Sequence, residues 1–267
     1  MKKYLSFFRI RFSNGLQYRA AAFAGILTQF SWGFMELLMF SAFYKANSAQ
    51  FPMEFSQLAS YIWLQQALLA LFMTWFFDND IFSDITSGNI AYELTRPMDL
   101  YNMWFIKNMA SRLSKAVLRC LPILAVAAFL PKPYNLSLSP DLFSFLMFLF
   151  TMTLGFFTVV SFCMLIYIAT FYTLSPLGVR IVALSLTEFL SGALIPLPFL
   201  PNGIRHVIEL TPFASMQNLP LRVYSGNIAG NELLLGVFLQ VFWLLTLVFI
   251  GKLWMKKALK RIVVQGG

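Results

Sequence analysis

Long runs of apolar residues are the feature that most limits how this chain can fold. Residues 142–172 and 233–255 are two of the clearest examples. A helix of about 20 apolar residues matches the thickness of a bilayer, and a helix satisfies its own backbone hydrogen bonds there. Of the residues, 59% are hydrophobic and 12% charged, whereas globular domains are about 25% charged. We therefore expect an integral membrane protein.

The apolar runs predict an all-α integral membrane protein with one transmembrane domain over residues 1–267 and six membrane-spanning helices. We expect the spans at residues 20–44, 56–77, 110–130, 142–172, 178–197 and 233–255. The turn sequence PKPYN follows the third span, and prolines follow the fifth. An even number of spans places both termini on the same side of the membrane.

The distribution of Lys and Arg predicts which side that is. Sixteen of the 20 cations fall on the side of the termini, and four fall on the other. Short loops rich in Lys and Arg stay in the cytoplasm, so both termini are expected to be cytoplasmic. This topology accounts for most of the net charge of +9, and we expect no nucleic-acid partner.

The N-terminal segment, residues 1–19, mixes basic and apolar residues before the first span. Such a segment is typical of an amphipathic helix lying on the inner membrane surface. It either serves only as an anchor or also contacts a cytosolic partner. We expect no cleaved signal peptide, because Arg9 and Arg11 interrupt the apolar stretch. Elsewhere, Cys120, Cys163 and His206 are scattered, so we expect no disulfide and no metal site.

A polar insert, residues 78–99, separates the second and third spans on the cytoplasmic side. Asp78 or Asp80 can cap a helix of about two turns, and Gly88 with the following residue provides a left-handed stop. A helix this short is not stable alone in water. It must therefore contact either its own membrane domain or a second protein.

A second short helical segment is predicted to follow within the insert. Ile90 and Leu94 have helical spacing, and the segment must end before Pro97 because the residue before a proline is excluded from the helical region. Asp99 can then cap the next long helix.

The spacing D-x-x-x-G-x-I-x-x-x-L-x-R-P in this insert resembles the loop between spans 2 and 3 in a known family. Its residues here are Asp84, Gly88, Ile90, Leu94, Arg96 and Pro97. The family comprises the permease subunits of ATP-binding-cassette (ABC) type 2 transporters. The stretch SGALIPLPFLPNGIRHVIELTPFASMQNLPLRVYSG, residues 191–226, resembles the same family's broken fifth span and re-entrant outer helices. The outer re-entrant segment is expected at residues 198–222. The tail RIVVQGG resembles one bacterial subfamily.

The resemblance implies an exporter subunit in a bacterial plasma (inner) membrane. The insert would be a coupling helix that docks on a separate ABC ATPase, and a second permease, identical or related, would complete the path for a hydrophobic or amphipathic compound. The expected contacts with the ATPase are Phe82, Asp84, Ile85, Gly88, Asn89, Glu93 and Arg96. Alternatively, the insert only closes its own helix bundle.

No G-x-x-x-x-G-K-[ST] sequence occurs in the chain, so we expect that it does not hydrolyse ATP. On this interpretation it is not an enzyme and holds no cofactor or metal. ATP and magnesium would bind to the partner ATPase. A membrane enzyme is also disfavoured because the scattered acids and His206 form no evident catalytic group.

Three cations enter the third span with helical spacing. Arg112, Lys115 and Arg119 lie at i, i+3 and i+7, which predicts one stripe at the depth of the inner leaflet. They either extend to the lipid headgroups or form a basic lining that attracts an anionic headgroup or substrate.

Two acidic residues are expected within the membrane, namely Glu36 in the first span and Glu188 in the fifth. A charge at this depth should face protein or a wet cavity. Gly192, Pro196 and Pro198 break the helix that follows Glu188. We assign these five residues to a transport path or gate; alternatively, Glu188 only forms hydrogen bonds between helices. The alternative function is an ion-coupled secondary transporter that uses Glu36 and Glu188.

Overall fold

A computed structural model describes residues 2–173 and 175–261. Within these residues the fold is all-helical, which confirms the all-α part of the predicted class. Its α-helices are α1 Lys2–Gly15, α2 Arg19–Ala46, α3 Phe55–Ala67, α4 Leu69–Phe72, α5 Asn79–Ser87, α6 Ile90–Leu94, α7 Leu100–Phe129, α8 Leu142–Ala169, α9 Pro176–Leu190, α10 Asn202–Glu209, α11 Asn218–Tyr224 and α12 Gly230–Leu259. Residues 262–267 of the tail lie outside the described part of the chain.

Three helical stretches are long and apolar enough to cross a membrane. They cover Arg19–Ala46, Leu142–Tyr172 and Gly230–Leu259. Helix α7 is as long as α12 but carries four cations, and α9 has only 15 residues. Length and composition therefore support membrane spanning for these three.

The helices run between two ends of the molecule. At the insert end, Arg180 donates to Asn79 across 3.2 Å. At the far end, the Ser137 amide donates to the Ser60 hydroxyl across 3.0 Å. Helices α8 and α12 run side by side between these ends, with α11 packed against α8. The bundle therefore has one end formed by the insert and another formed by the short helices α10 and α11.

Helix α1 lies against the first half of α7. The Tyr4 hydroxyl accepts a hydrogen bond of 3.2 Å from the Asp99 amide, and Lys3 donates to the carbonyl of Pro97. Its other side exposes Leu5 and Ile10. A helix is thus present where the amphipathic segment was predicted, with one face on the protein and the other exposed; its contact with the membrane surface stays a prediction.

The chain predicted as one second span, residues 56–77, is broken in the structure. Helix α3 ends at Ala67, α4 occupies only Leu69–Phe72, and residues 73–77 are not helical. Neither glycine nor proline occurs there to indicate a break. The cause is tertiary, because the side chain of Arg112 on α7 binds carbonyl oxygens of this segment, as described below.

The break after the fifth predicted span is present. Helix α9 ends at Leu190, and Gly192 adopts a φ of 77° in the left-handed region that favours glycine. A 3₁₀ turn at Leu197–Phe199 and helix α10 follow.

Gly155 on α8 is a point of close contact with the loop before α11. A Cβ atom at this position would lie 2.0 Å from the carbonyl oxygen of Met216. We expect Gly155→Ala to destabilise the protein by about 1–3 kcal/mol, because the backbone of that loop must move. Thermal unfolding of the detergent-solubilised protein measures this loss.

Gly178→Ala on α9 is the matched control, since a Cβ atom there meets nothing within 4 Å. It should leave the melting temperature unchanged or raise it slightly. Equal melting temperatures for the two variants would contradict the tight α8 contact.

Candidate functional site

The helix caps and the glycine stop that the sequence predicts for the insert are present. The Asp78 carboxylate accepts from the Asp80 amide across 3.1 Å and caps α5, which ends at Gly88 with a φ of 78°. Helix α6 follows and ends before Pro97. The Asp99 carboxylate caps α7 by accepting from the Asn102 amide across 2.9 Å. The caps and the glycine stop fix the start and end of α5 and the start of α7.

A buried lysine anchors the insert to the helix bundle. The ammonium of Lys107 lies 3.2 Å from the Asp78 carboxylate and 3.6 Å from that of Asp80. Lys107 is 3% exposed, so its charge depends on these partners. The sequence gives no pattern that joins Lys107 to residues 27 or more positions earlier.

Two residues predicted to contact a partner ATPase are instead buried in this chain. The indole of Trp104 donates to Glu93 across 2.8 Å, and Glu93 is 8% exposed. Phe82 is buried between the ring of Tyr167 and the guanidinium of Arg180. Their assignment as partner contacts is therefore corrected, and both residues hold the insert in place.

The remaining predicted contact residues stay accessible. Asp84 and Ile85 are half-buried, whereas Gly88, Asn89 and Arg96 are exposed. Partial burial and the repulsion of Glu93 raise the pKa of Asp84.

Tyr92 is 75% exposed beside these residues, although the sequence interpretation did not select it. Large exposed aromatic residues are frequent anchors of protein interfaces. We call Gly88, Asn89, Tyr92 and Arg96 the insert surface.

Hydrogen bonds connect the insert to the interior of the bundle. The Tyr167 hydroxyl accepts from the Asp78 amide across 2.7 Å and lies 3.2 Å from the Asn108 amide nitrogen, which donates to it. The Asn108 oxygen accepts from Arg112 across 2.6 Å. A polar connection thus runs from the first residue of the insert to Arg112.

Arg112 binds the backbone of the broken second segment. It is fully buried, and in the described part of the chain no carboxylate forms an ion pair with it. Its guanidinium donates to carbonyl oxygens of Met73 at 2.7 Å, Leu71 at 3.2 Å, Ala70 at 3.4 Å and Phe76 at 3.5 Å, and to the Cys163 sulfur at 3.2 Å. These carbonyls lack helical partners, so Arg112 supplies the donors that water cannot.

The predicted stripe of three cations is therefore divided. Arg112 faces the protein interior, whereas Lys115 and Arg119 lie 5.1 and 5.7 Å from the ring centre of Phe76. Arg112 can neither extend to headgroups nor line an open path. Only Arg119 of the three borders the cavity described next.

A cavity of about 420 Å³ lies between α2, the α3–α4 break and the end of α9. Its volume falls in the range of small-molecule sites, about 300–1,000 Å³. Its lining residues are Gly25, Thr28, Gln29, Trp32, Glu36, Gln65, Gln66, Leu69, Met73, Trp75, Phe76, Arg119, Glu188, Ala193 and Leu194. The structure thus brings together both acidic residues that the sequence placed in separate spans.

Three glutamine amides border this cavity. Gln66 donates to the Glu36 carboxylate across 3.4 Å, and Gln65 donates to the Ala193 carbonyl across 2.8 Å. Gln29 is 4% exposed, and neither its nitrogen nor its oxygen has a partner among the described residues. A buried amide without partners is costly, so Gln29 is suited to a bound polar group.

The other three predicted gate residues, Gly192, Pro196 and Pro198, do not line this cavity. The Tyr61 hydroxyl donates to the Gly192 carbonyl across 3.2 Å and holds the segment after α9. Pro196 and Pro198 are buried; Pro196 precedes the 3₁₀ turn and Pro198 lies within it.

Comparison with known proteins gave no matching family and no match among the curated proteins.

Proposed function

We propose that this chain is the transmembrane subunit of an ATP-driven ABC exporter in a bacterial plasma membrane. The single observation that carries the proposal is the connection from the insert, through Lys107 and Arg112, to the cavity that contains Glu36 and Glu188. The resemblance of the insert to coupling loops of type 2 permeases supports it. On this proposal the cavity belongs to the translocation path.

Six crossings follow if the shorter segments join the three long helices. These would be α3 with α4, the second half of α7, and α9 with the residues after it. The insert and both termini then lie in the cytoplasm, as the Lys and Arg distribution favours. A second permease, identical or related, completes the path.

Energy enters from a separate ATPase that binds ATP and magnesium. Closure of two ATPase subunits would displace the docked insert surface. The insert is tied to α7 by Lys107, and α7 holds the backbone of residues 70–76 through Arg112. Because the side chains of Met73 and Phe76 line the cavity, movement of the insert would reshape it. The cargo is a hydrophobic or amphipathic compound that moves outward.

Co-purification tests the docking. The tagged chain is co-expressed with each ABC-type ATPase subunit of its host, and the complex is measured by size-exclusion chromatography and ATP hydrolysis. We expect one ATPase to form a stable complex. Tyr92→Asp and Arg96→Glu should each weaken it at least about tenfold, the effect typical of exposed aromatic and Arg anchors.

Lys132→Glu is the matched charge reversal, because Lys132 is exposed at the far end of the bundle. It should bind the ATPase like the unchanged chain. Failure of every ATPase to associate, or unchanged binding by both insert variants, contradicts the proposal.

An ion-coupled secondary transporter is the second candidate. Two observations favour it, namely that Glu36 and Glu188 line one cavity and that the chain has two broken segments, each bordering that cavity. Transport by proteoliposomes that contain this chain alone separates the candidates. Uptake driven by a proton or sodium gradient without ATP would support the carrier, and dependence on the ATPase would exclude it.

A further inference from the structure

We propose that the cavity binds an amphipathic organic cation, with its charge at Glu36 and Glu188 and a hydrogen-bonding group at Gln29. This inference names the cargo class only if the proposed function holds. Binding itself requires this chain alone.

One face of α2 arranges the polar groups along the cavity. Gly25, Gln29, Trp32 and Glu36 all line it and follow one another at intervals of three or four residues. The Arg119 guanidinium lies against Gly25, where a Cβ atom would be 2.6 Å from its central carbon. At 1.5 Å per residue, Glu36 is about 16 Å further along the helix axis. The positive group thus occupies the insert-end half of the cavity.

Glu36 belongs to the far-end half, and hydrogen bonds connect it to the segment that follows Glu188, the second carboxylate of the cavity. Gln66, which binds Glu36, neighbours Gln65, which binds the carbonyl of Ala193. The next residue, Leu194, donates its amide to the carbonyl of Glu188 across 3.4 Å. Glu36 and the segment that follows Glu188 therefore contact neighbouring residues of α3. Among the described lining residues, the only cation, Arg119, lies at the other end, so the far-end half attracts a positive charge.

The walls and the unpartnered amide define the rest of the ligand. Trp32 and Trp75 border the cavity with Leu69 and Met73, and they provide apolar surface and aromatic faces that favour cations. Gln29, between the two charged ends, offers one donor pair and one acceptor without protein partners. A ligand with an apolar body, a cationic head and a polar substituent satisfies all three features.

Binding is tested with two ions of the same shape and opposite charge, tetraphenylphosphonium and tetraphenylborate. Ethidium, a cation with amino groups, probes the role of Gln29. The full chain is placed in nanodiscs of zwitterionic lipid, and binding is followed by tryptophan fluorescence, with empty nanodiscs subtracting partition into lipid. We expect saturable binding of both cations and none of tetraphenylborate. Trp32→Phe should reduce the fluorescence change, because Trp32 borders the site.

Charge-neutral variants locate the cation. Glu36→Gln and Glu188→Gln should each weaken tetraphenylphosphonium binding about tenfold, as expected for loss of one partly desolvated charge contact. Gln29→Leu should weaken ethidium binding while sparing tetraphenylphosphonium, which has no hydrogen-bonding group. Glu232→Gln, an exposed residue outside the cavity, is the matched control and should bind like the unchanged chain.

Equal binding of both ions of opposite charge, or no effect of either glutamate substitution, would overturn the inference. So would loss of binding in Glu232→Gln equal to that in Glu36→Gln. Cation binding without any ATPase complex would retain this inference and reject the exporter. An ATPase complex without cation binding would do the reverse.

Discussion

Replacing Arg112 with methionine is expected to lower the free energy of unfolding by about 3–5 kcal/mol, because several buried carbonyl oxygens lose their hydrogen-bond donor at a cost of about 1–3 kcal/mol each. Methionine fills similar space but donates no hydrogen bond. The carbonyl oxygens of Ala70, Leu71 and Met73 would lose their donor inside the bundle. Thermal unfolding in detergent should show a large decrease in melting temperature or loss of folded protein on purification.

Two further variants make this prediction decisive. Arg112→Lys keeps the charge but lacks the planar guanidinium group with its several donors. It should therefore be more stable than Arg112→Met but less stable than the unchanged chain. Arg19→Met removes an exposed arginine from the start of α2 and should leave the melting temperature unchanged. If Arg112→Met and Arg19→Met have the same melting temperature, contacts other than those of Arg112 hold the broken segment.

Replacing Lys107 with methionine is expected to release the insert from the bundle, at a cost of about 2–3 kcal/mol for the lost buried ion pair. The Asp78 and Asp80 carboxylates would lose the only ammonium that the structure places against them within residues 2–173 and 175–261. Amide hydrogen exchange should accelerate in residues 79–94. In the proposed exporter, ATP hydrolysis would continue while transport decreases, because the docked insert no longer moves α7.

The control is Lys115→Met, which removes a cation from the same helix that pairs with no carboxylate in the described residues. Its insert should exchange at the original rate. Amide hydrogen exchange of residues 79–94 could instead be as slow in Lys107→Met as in Lys115→Met. That result would show that the contact between Trp104 and Glu93 is sufficient to hold the insert.

Short-range features of this chain could be predicted because their causes lie within a few residues. The caps at Asp78 and Asp99 and the stop at Gly88 depend on local backbone geometry and side-chain oxygens. The break after α9 likewise follows from a glycine and two prolines close in sequence. The long apolar helices follow from composition alone.

Features that depend on contacts between distant segments could not be predicted. The segment after Ala67 has no local breaker, and its break is held by Arg112, about 40 residues later. Phe82 and Glu93 looked like exposed contacts because their partners, Arg180 and Trp104, are not indicated by spacing. A cation in an apolar run should face protein, and applying that rule to Arg112 would have predicted its burial.

Helix α7 contains an internal proline at which it can bend. Pro122 lies inside it and removes one backbone hydrogen bond, which creates a natural pivot. Lys107 and Arg112 are about 22 and 15 Å from this pivot along the axis. A tilt of about 5° would therefore displace Lys107 by about 2 Å but Arg112 by only about 1.3 Å. In the proposed exporter, a displacement of Lys107 by the insert would therefore reach Arg112 reduced by about a third.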